Sequence, residues 1–262
     1  MGALVLVAVL MGCASGPATH PSEAPTGTAA EGWPLVPFDD GHVAGLMSEH
    51  VHGDGARTAW CGCAFTADAD GGGATVDDAA ECGFEAAEQW PESAGRVAWS
   101  RVVPDARLPL DEHGCWTVEG GDRDWCIRQD AEARAMLLDL HNRLPVIEQV
   151  ARYRGERAFG TVAGEDARPF GACPVGVSEA AFEPPDCRKG DVARTWWYMD
   201  AAYGLELSEA EAARLERWAA ADPVSPRELA RARRIERITG RANDHVQDVE
   251  APDPAGACPR PG

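Results

Sequence analysis

The cysteines constrain this chain more than any other feature. Nine are present. Setting aside Cys13 leaves an even set of eight: Cys61, Cys63, Cys82, Cys115, Cys126, Cys173, Cys187 and Cys258. In an exported protein such a set reads as four disulfides, with 105 possible pairings that spacing alone does not resolve. A metal site at Cys61-Gly62-Cys63 is the weaker reading, because the other cysteines do not fall in pairs at zinc spacing.

Export is suggested by residues 2–12, GALVLVAVLMG. Eleven residues rise about 16 Å as a helix, short of a bilayer core of about 30 Å. The run therefore suits a signal peptide, although no Lys or Arg precedes it. Leu10-Met11-Gly12-Cys13 has the form of a lipobox, with Cys13 as the lipidated residue. Residues 14–32 are small, polar and Pro-rich, as in an extended tether. The expected organisation is a signal over 1–12, a tether over 13–34, a folded domain over 35–250 and a tail over 251–262. The address would be periplasmic or on the outer membrane, with membrane contact only through the lipid.

The net charge of −19 opposes tight, general binding to phosphate backbones. Residues 35–52 carry a short helical pattern, with His50 and His52 expected at the surface. Residues 68–81, DADGGGATVDDAAE, read as a solvated acidic loop, since Gly72 and Ala79 fall where a calcium loop needs ligands. Gly95 to Pro104, GRVAWSRVVP, reads as a strand entering a rigid turn. Ala133, Met136, Leu137 and Leu140 form one apolar helical face, and Pro145 is expected to end that helix. Val192, Trp196, Met199 and Tyr203 form another stripe, closed by Gly204. Ser208 with Glu211 and Ser225 with Glu228 have capping-box spacing, the second with Pro226 at the first helical position. The last helix carries Arg227, Arg231, Arg233, Arg234, Arg237 and Arg241 against Glu228 and Glu236. It is expected to be solvated and paired with acidic neighbours, ahead of contacting phosphate.

In this order, the motifs resemble the bacterial endonuclease I family. The matching pieces are Trp60-Cys61-Gly62-Cys63, Cys82-Gly83-Phe84, Asp139-Leu140-His141-Asn142 with Leu144-Pro145, Glu183-Pro184-Pro185, Lys189 to Arg194, Tyr198-Met199, Trp218, Asp222-Pro223-Val224-Ser225, and Glu228 to Asn243. The resemblance runs from about residue 44 to 246. It implies an α+β fold with a ββα-metal (His-Me finger) core at about 95–143, wrapped by helices and braced by disulfides. It also implies a monomeric, Mg²⁺-dependent enzyme cutting DNA and RNA with little sequence preference.

Arg96, Trp99, Val102, Val103 and Pro104 are similar to the family's catalytic strand, but its chemical residues are replaced. Ser100 stands at the position of a metal-ligating Glu and Arg101 at that of the His general base. Ala98 replaces a further Glu, and Trp116 sits where the family commonly has an arginine that would contact phosphate. Arg stays protonated above pH 12 and has no acceptor, so Arg101 cannot take a proton from water. Ser100 offers a hydroxyl where Mg²⁺ would want a carboxylate, leaving Asn142 as the retained ligand. His113 or His141 as a relocated base, with Asp111 or Asp139 as carboxylate, would be needed to rescue hydrolysis. The alternative is a non-catalytic protein binding nucleic acid through Arg101, Arg96, Arg194, Arg234 and Arg241, or a surface interaction module.

Overall fold

The computed structural model describes residues 35–53, 56–68, 73–164 and 168–247. The expected signal segment, Cys13, the tether, Cys258 and the tail all lie outside the described residues. Among the described residues no helix is long and apolar enough to cross a membrane.

Helix α1 (Asp40–Leu46) starts where the Asp39 carboxylate accepts the His42 N–H, and it continues as a π-helical turn, Met47–Val51. Strands β1 (Phe65–Ala67), β2 (Ala74–Val76) and β3 (Arg96–Arg101) follow. Three short helices come next: α2 (Gly114–Thr117), α3 (Arg123–Gln129) and α4 (Ala131–Leu137), the last two capped by Asp122 and Asp130. A 3₁₀ turn, Leu140–Asn142, leads into β4 (Arg143–Ile147) and then α5 (Glu148–Arg154). The four strands form one antiparallel sheet in the order β1-β2-β3-β4.

Two sequence expectations fail here. Ala74–Val76 is not solvated loop: Ala74 and Val76 are buried, and Ala74 pairs with both Ala67 and Val97. Pro145 does not end a helix either. Helix α4 stops at Leu137, and Pro145 lies inside β4 opposite Trp99. A proline is tolerated there because β4 is an edge strand, and its carbonyl accepts the Ala59 N–H at 2.6 Å. The apolar residues of 143–147 are used in cross-strand pairing, which a local periodicity cannot reveal.

A second sheet holds β5 (Ala158–Phe159), β6 (Gly176–Val177) and β7 (Ala181–Glu183) in the order β5-β7-β6. Trp60 packs against Phe159 and Phe182 at ring-centroid distances of 6.1 and 6.0 Å. The buried helix α6 (Asp186–Tyr203) ends at Gly204, which takes the left-handed conformation at φ 70°. Helix α7 (Glu209–Ala221) has the full Ser208–Glu211 capping box, and Ser225 caps α8 (Pro226–Thr239). The α7–α8 connection lies so close to α6 that a Cβ on Gly190 would sit 1.9 Å from the Asp222 carbonyl oxygen. Instead, the Gly190 N–H donates to the Asp222 carboxylate at 2.8 Å.

Disulfides join Cys61 to Cys173, Cys63 to Cys82 and Cys115 to Cys126, and Cys187 is also disulfide-bonded. The molecule is thus a mixed α+β protein with covalent braces.

Candidate functional site

Side chains alternate along β3, so Trp99 and Arg101 share one face while Ala98 and Ser100 take the other. The antiparallel register sets Arg101 opposite Arg143 and Ser100 opposite Leu144. Directly opposed like charges are destabilising in a sheet unless compensated. Compensation comes from two carboxylates. Arg101 Nε lies 3.0 Å from Asp105 Oδ1, and Arg123 Nε donates to Asp105 Oδ2 at 3.0 Å. Arg123 also grips both oxygens of Asp40, and Arg143 donates to Asp40 Oδ1 at 3.2 Å.

Three guanidinium groups and two carboxylates therefore interlock beside the end of β3. Burial works to raise the Asp40 carboxyl, but the Arg123 hydrogen bond and the charges of Arg143, Arg123 and Arg101 hold it below its usual range. Arg143 is pushed down to about 10 by burial and then by the Arg101 charge. The Arg101 side chain is 30% exposed, so it still reaches solvent. It is a fixed cation, not a proton acceptor.

Asn142 is 1% exposed, and its carboxamide is turned onto the backbone that follows β3. Its Oδ1 accepts the N–H groups of Val102 at 3.1 Å and Val103 at 2.7 Å, while Nδ2 donates to the Val103 carbonyl at 2.9 Å. The side-chain oxygen, expected as a metal ligand, thus faces backbone amides here, the Val102 N–H being shared with the Asn142 main-chain carbonyl at 3.0 Å. The residue instead clasps the turn that follows β3. Arg154 braces the same turn, donating to the carbonyls of Arg101 and Val102, the latter at 2.7 Å.

Of the alternative acid–base residues, Asp139, His141 and His113 are engaged elsewhere. Asp139 accepts hydrogen bonds from Tyr198 Oη at 2.8 Å, Tyr203 Oη at 2.6 Å and the His141 N–H at 2.8 Å. Burial and the Asp139 charge push both phenols upward. His141 is buried against Tyr198, with Nε2 3.0 Å from the Arg241 carbonyl, and burial lowers its basicity. His113 Nδ1 sits 2.9 Å from Asp130 Oδ2, and Asp111 is exposed. Among the described residues no three of His, Cys, Asp and Glu converge to hold a metal ion. The donors near β3 are the Ser100 hydroxyl, the Asn142 carboxamide, and the Asp40 and Asp105 carboxylates, both of which are held by guanidinium groups. This set does not fit Mg²⁺.

The expected nucleic-acid contacts also divide. Arg96 is 72% exposed and paired with Glu148 at 3.1 Å, and Arg241 is half exposed with its guanidinium on Tyr203 Oη. Arg194 is not available: it is buried in a two-pronged pair with Glu228, both bonds 2.7 Å. Arg234 donates to the Val51 carbonyl at 2.9 Å. His52, expected at the surface, is half-buried and stacks on Trp99 at 5.6 Å, whereas His50 is exposed. The solvated-helix reading of α8 fails for Arg227 and Arg231, which turn inward and donate to backbone carbonyls. Their spacing with Arg234, at i, i+4 and i+7, is the signal that marks one inward stripe.

The family model described as Endonuclease I matches residues 47–250. An Endonuclease-1 of Buchnera aphidicola subsp. Acyrthosiphon pisum is 28% identical over 207 residues, covering 78% of this chain and 79% of that protein. An extracellular deoxyribonuclease of Aeromonas hydrophila is 30% identical over 200 residues, covering 75% and 84%. A periplasmic deoxyribonuclease of the same species is 30% identical over 195 residues, covering 72% and 78%.

Proposed function

Because the chain belongs to the endonuclease I family, we propose that it is an exported, nucleic-acid-binding member in which phosphodiester hydrolysis is severely impaired. Family membership supports a nucleic-acid substrate class. The observation that carries the loss of hydrolysis is the ion pair between Arg101 and Asp105, at the position from which water would have to be activated. A guanidinium has no lone pair for a proton and stays charged at any physiological pH. Loss of a general base by itself costs about 10²–10⁴ in rate. The poor donor set for Mg²⁺ removes charge neutralisation at the scissile phosphate as well.

The succession β3, β4, α5 supports a ββα-metal ancestry, with α5 following the antiparallel pair and lying against β3. On this reading the core spans about 95–154. Lipid attachment at Cys13 is part of the same proposal and rests on the Leu10-Met11-Gly12-Cys13 motif, while relatives named extracellular and periplasmic support export. What remains for nucleic acid is contact through the exposed Arg96 and Arg241 and the partly exposed Arg101, against the general repulsion of an acidic chain.

The test is incubation of the oxidised protein with plasmid DNA and with RNA, in Mg²⁺, Mn²⁺ or EDTA. The expected result is no EDTA-sensitive cutting, with gel shifts at low salt that weaken steeply as salt rises. EDTA-sensitive cleavage that disappears in Ser100→Ala or His113→Ala would overturn the loss of hydrolysis. The absence of any shift at low salt would overturn nucleic-acid binding.

A further inference from the structure

A cavity of about 390 Å³ opens between the end of the π-helical turn, β4, α6 and α8, apart from the Arg101 network. Its polar wall is dominated by guanidinium groups from Arg57, Arg227, Arg231 and Arg234, with the His52 imidazole among them. Val51, Ala56, Leu144 and Pro145 supply an apolar side.

The charge balance of this wall is unusual. Arg57 donates to the Gly62 carbonyl at 2.8 Å, Arg227 to the Arg57 carbonyl at 2.6 Å, and Arg234 to the Val51 carbonyl. Arg231 donates to the carbonyls of Leu140, His141 and Arg143. All these partners are neutral. The carboxylates among the described lining residues, Asp191 and Glu228, are engaged by Arg188 and Arg194. Each guanidinium has five N–H donors, so these contacts leave donors over. Arg231 Nε and His52 Nε2 are buried without a hydrogen-bond partner. The carboxylates of Asp191 and Glu228 act on Arg231, and that of Asp191 on Arg227, but burial outweighs them, and an anion in the cavity offsets the remaining cost.

The geometry points to a phosphate-binding pocket, taking a phosphate dianion, free or carried as a monoester, against Arg57, Arg227, Arg231 and Arg234. Planar, multi-donor guanidinium groups are the side chains best matched to phosphate oxygens. The volume exceeds what a lone phosphate fills and lies in the range of small-molecule sites, so an ester group has room against Leu144 and Pro145. The electrostatics agree. Burial, then the charges of Arg231, Arg227 and Arg234, hold His52 neutral well below the usual imidazole range. Burial brings Arg227 and Arg231 down to about 10. A bound dianion relieves both effects.

Isothermal calorimetry on the full oxidised chain, in phosphate- and sulfate-free buffer, provides the test. Inorganic phosphate and a nucleoside 5′-monophosphate form two arms, and the unphosphorylated nucleoside is the control. Binding in either phosphate arm is expected, and equal affinity in both identifies the free ion as sufficient. A tighter monophosphate identifies an ester. Arg227→Gln and Arg57→Gln should each weaken binding about tenfold or more, measured well below the melting temperature of each variant. The His52 ring signals in NMR should shift on saturation, which locates the ligand. No heat in either phosphate arm, unchanged affinity in both folded variants, or stationary His52 signals would each overturn the proposal.

Discussion

Asn142 and Val103 exchange two hydrogen bonds: the Val103 N–H donates to Asn142 Oδ1 at 2.7 Å, and Asn142 Nδ2 returns one to the Val103 carbonyl at 2.9 Å. With the Val102 N–H, which is shared with the Asn142 main-chain carbonyl, this clasp fixes the turn after β3 to the 3₁₀ segment before β4. Removing it strands buried backbone groups, each costing about 1–3 kcal/mol. Asn142→Ala is therefore expected to lose roughly 2–4 kcal/mol of stability in urea unfolding. A loss below about 0.5 kcal/mol would contradict the clasp.

The same clasp decides what re-installing family residues can achieve. Ser100→Glu with Arg101→His supplies a carboxylate and an imidazole, yet the Asn142 oxygen stays occupied. The double variant is expected to fold and still show no Mg²⁺- or Mn²⁺-dependent nicking of plasmid. Cleavage above the unsubstituted chain would mean that further donors come together when a metal binds.

The disulfides should differ in their contribution to stability. Cys61 and Cys173 are 112 residues apart, Cys115 and Cys126 only 11. By loop-closure entropy, the first stabilises by about 4.7 kcal/mol and the second by about 3 kcal/mol. Replacing Cys61 and Cys173 together with Ala should lower the denaturant midpoint more than replacing Cys115 and Cys126. The reverse order would place the stabilisation in native packing.

His52 supplies a pH dependence whose sign is fixed by its depressed basicity. The unfolded chain takes a proton near pH 6.5, while the folded imidazole resists until the pH is well below that. Its contribution is thus present above pH 6.5 and is lost as the pH falls beneath it. His52→Phe, which keeps a ring against Trp99, is expected to flatten thermal stability between pH 6.5 and 5 in phosphate-free buffer. An unchanged slope would show that other groups carry it.

Much of the helical frame was legible in the chain. Ser208 and Ser225 cap the helices their spacing indicates, and Gly204 closes α6. These signals are local, a few residues long and governed by unsatisfied N–H and C=O groups. The strand Arg96–Arg101 was readable for the same reason. The partners it meets were not. Nothing near Pro145 says that Trp99 will pair with it, and nothing near Asn142 says that its oxygen faces two backbone amides from forty residues upstream. Likewise, Arg194 and Arg234 are alike in sequence, yet one meets Glu228 and the other a cavity. Long-range pairing assigned those roles.

Gly190 touches the Asp222 carbonyl with a bare hydrogen, where even a methyl group would collide. Helices α6 and α8 both wall the arginine-lined cavity, and this contact fixes how near α6 comes to the chain entering α8. The aperture of the cavity is thereby gauged from a distance, by a residue that contributes no side chain.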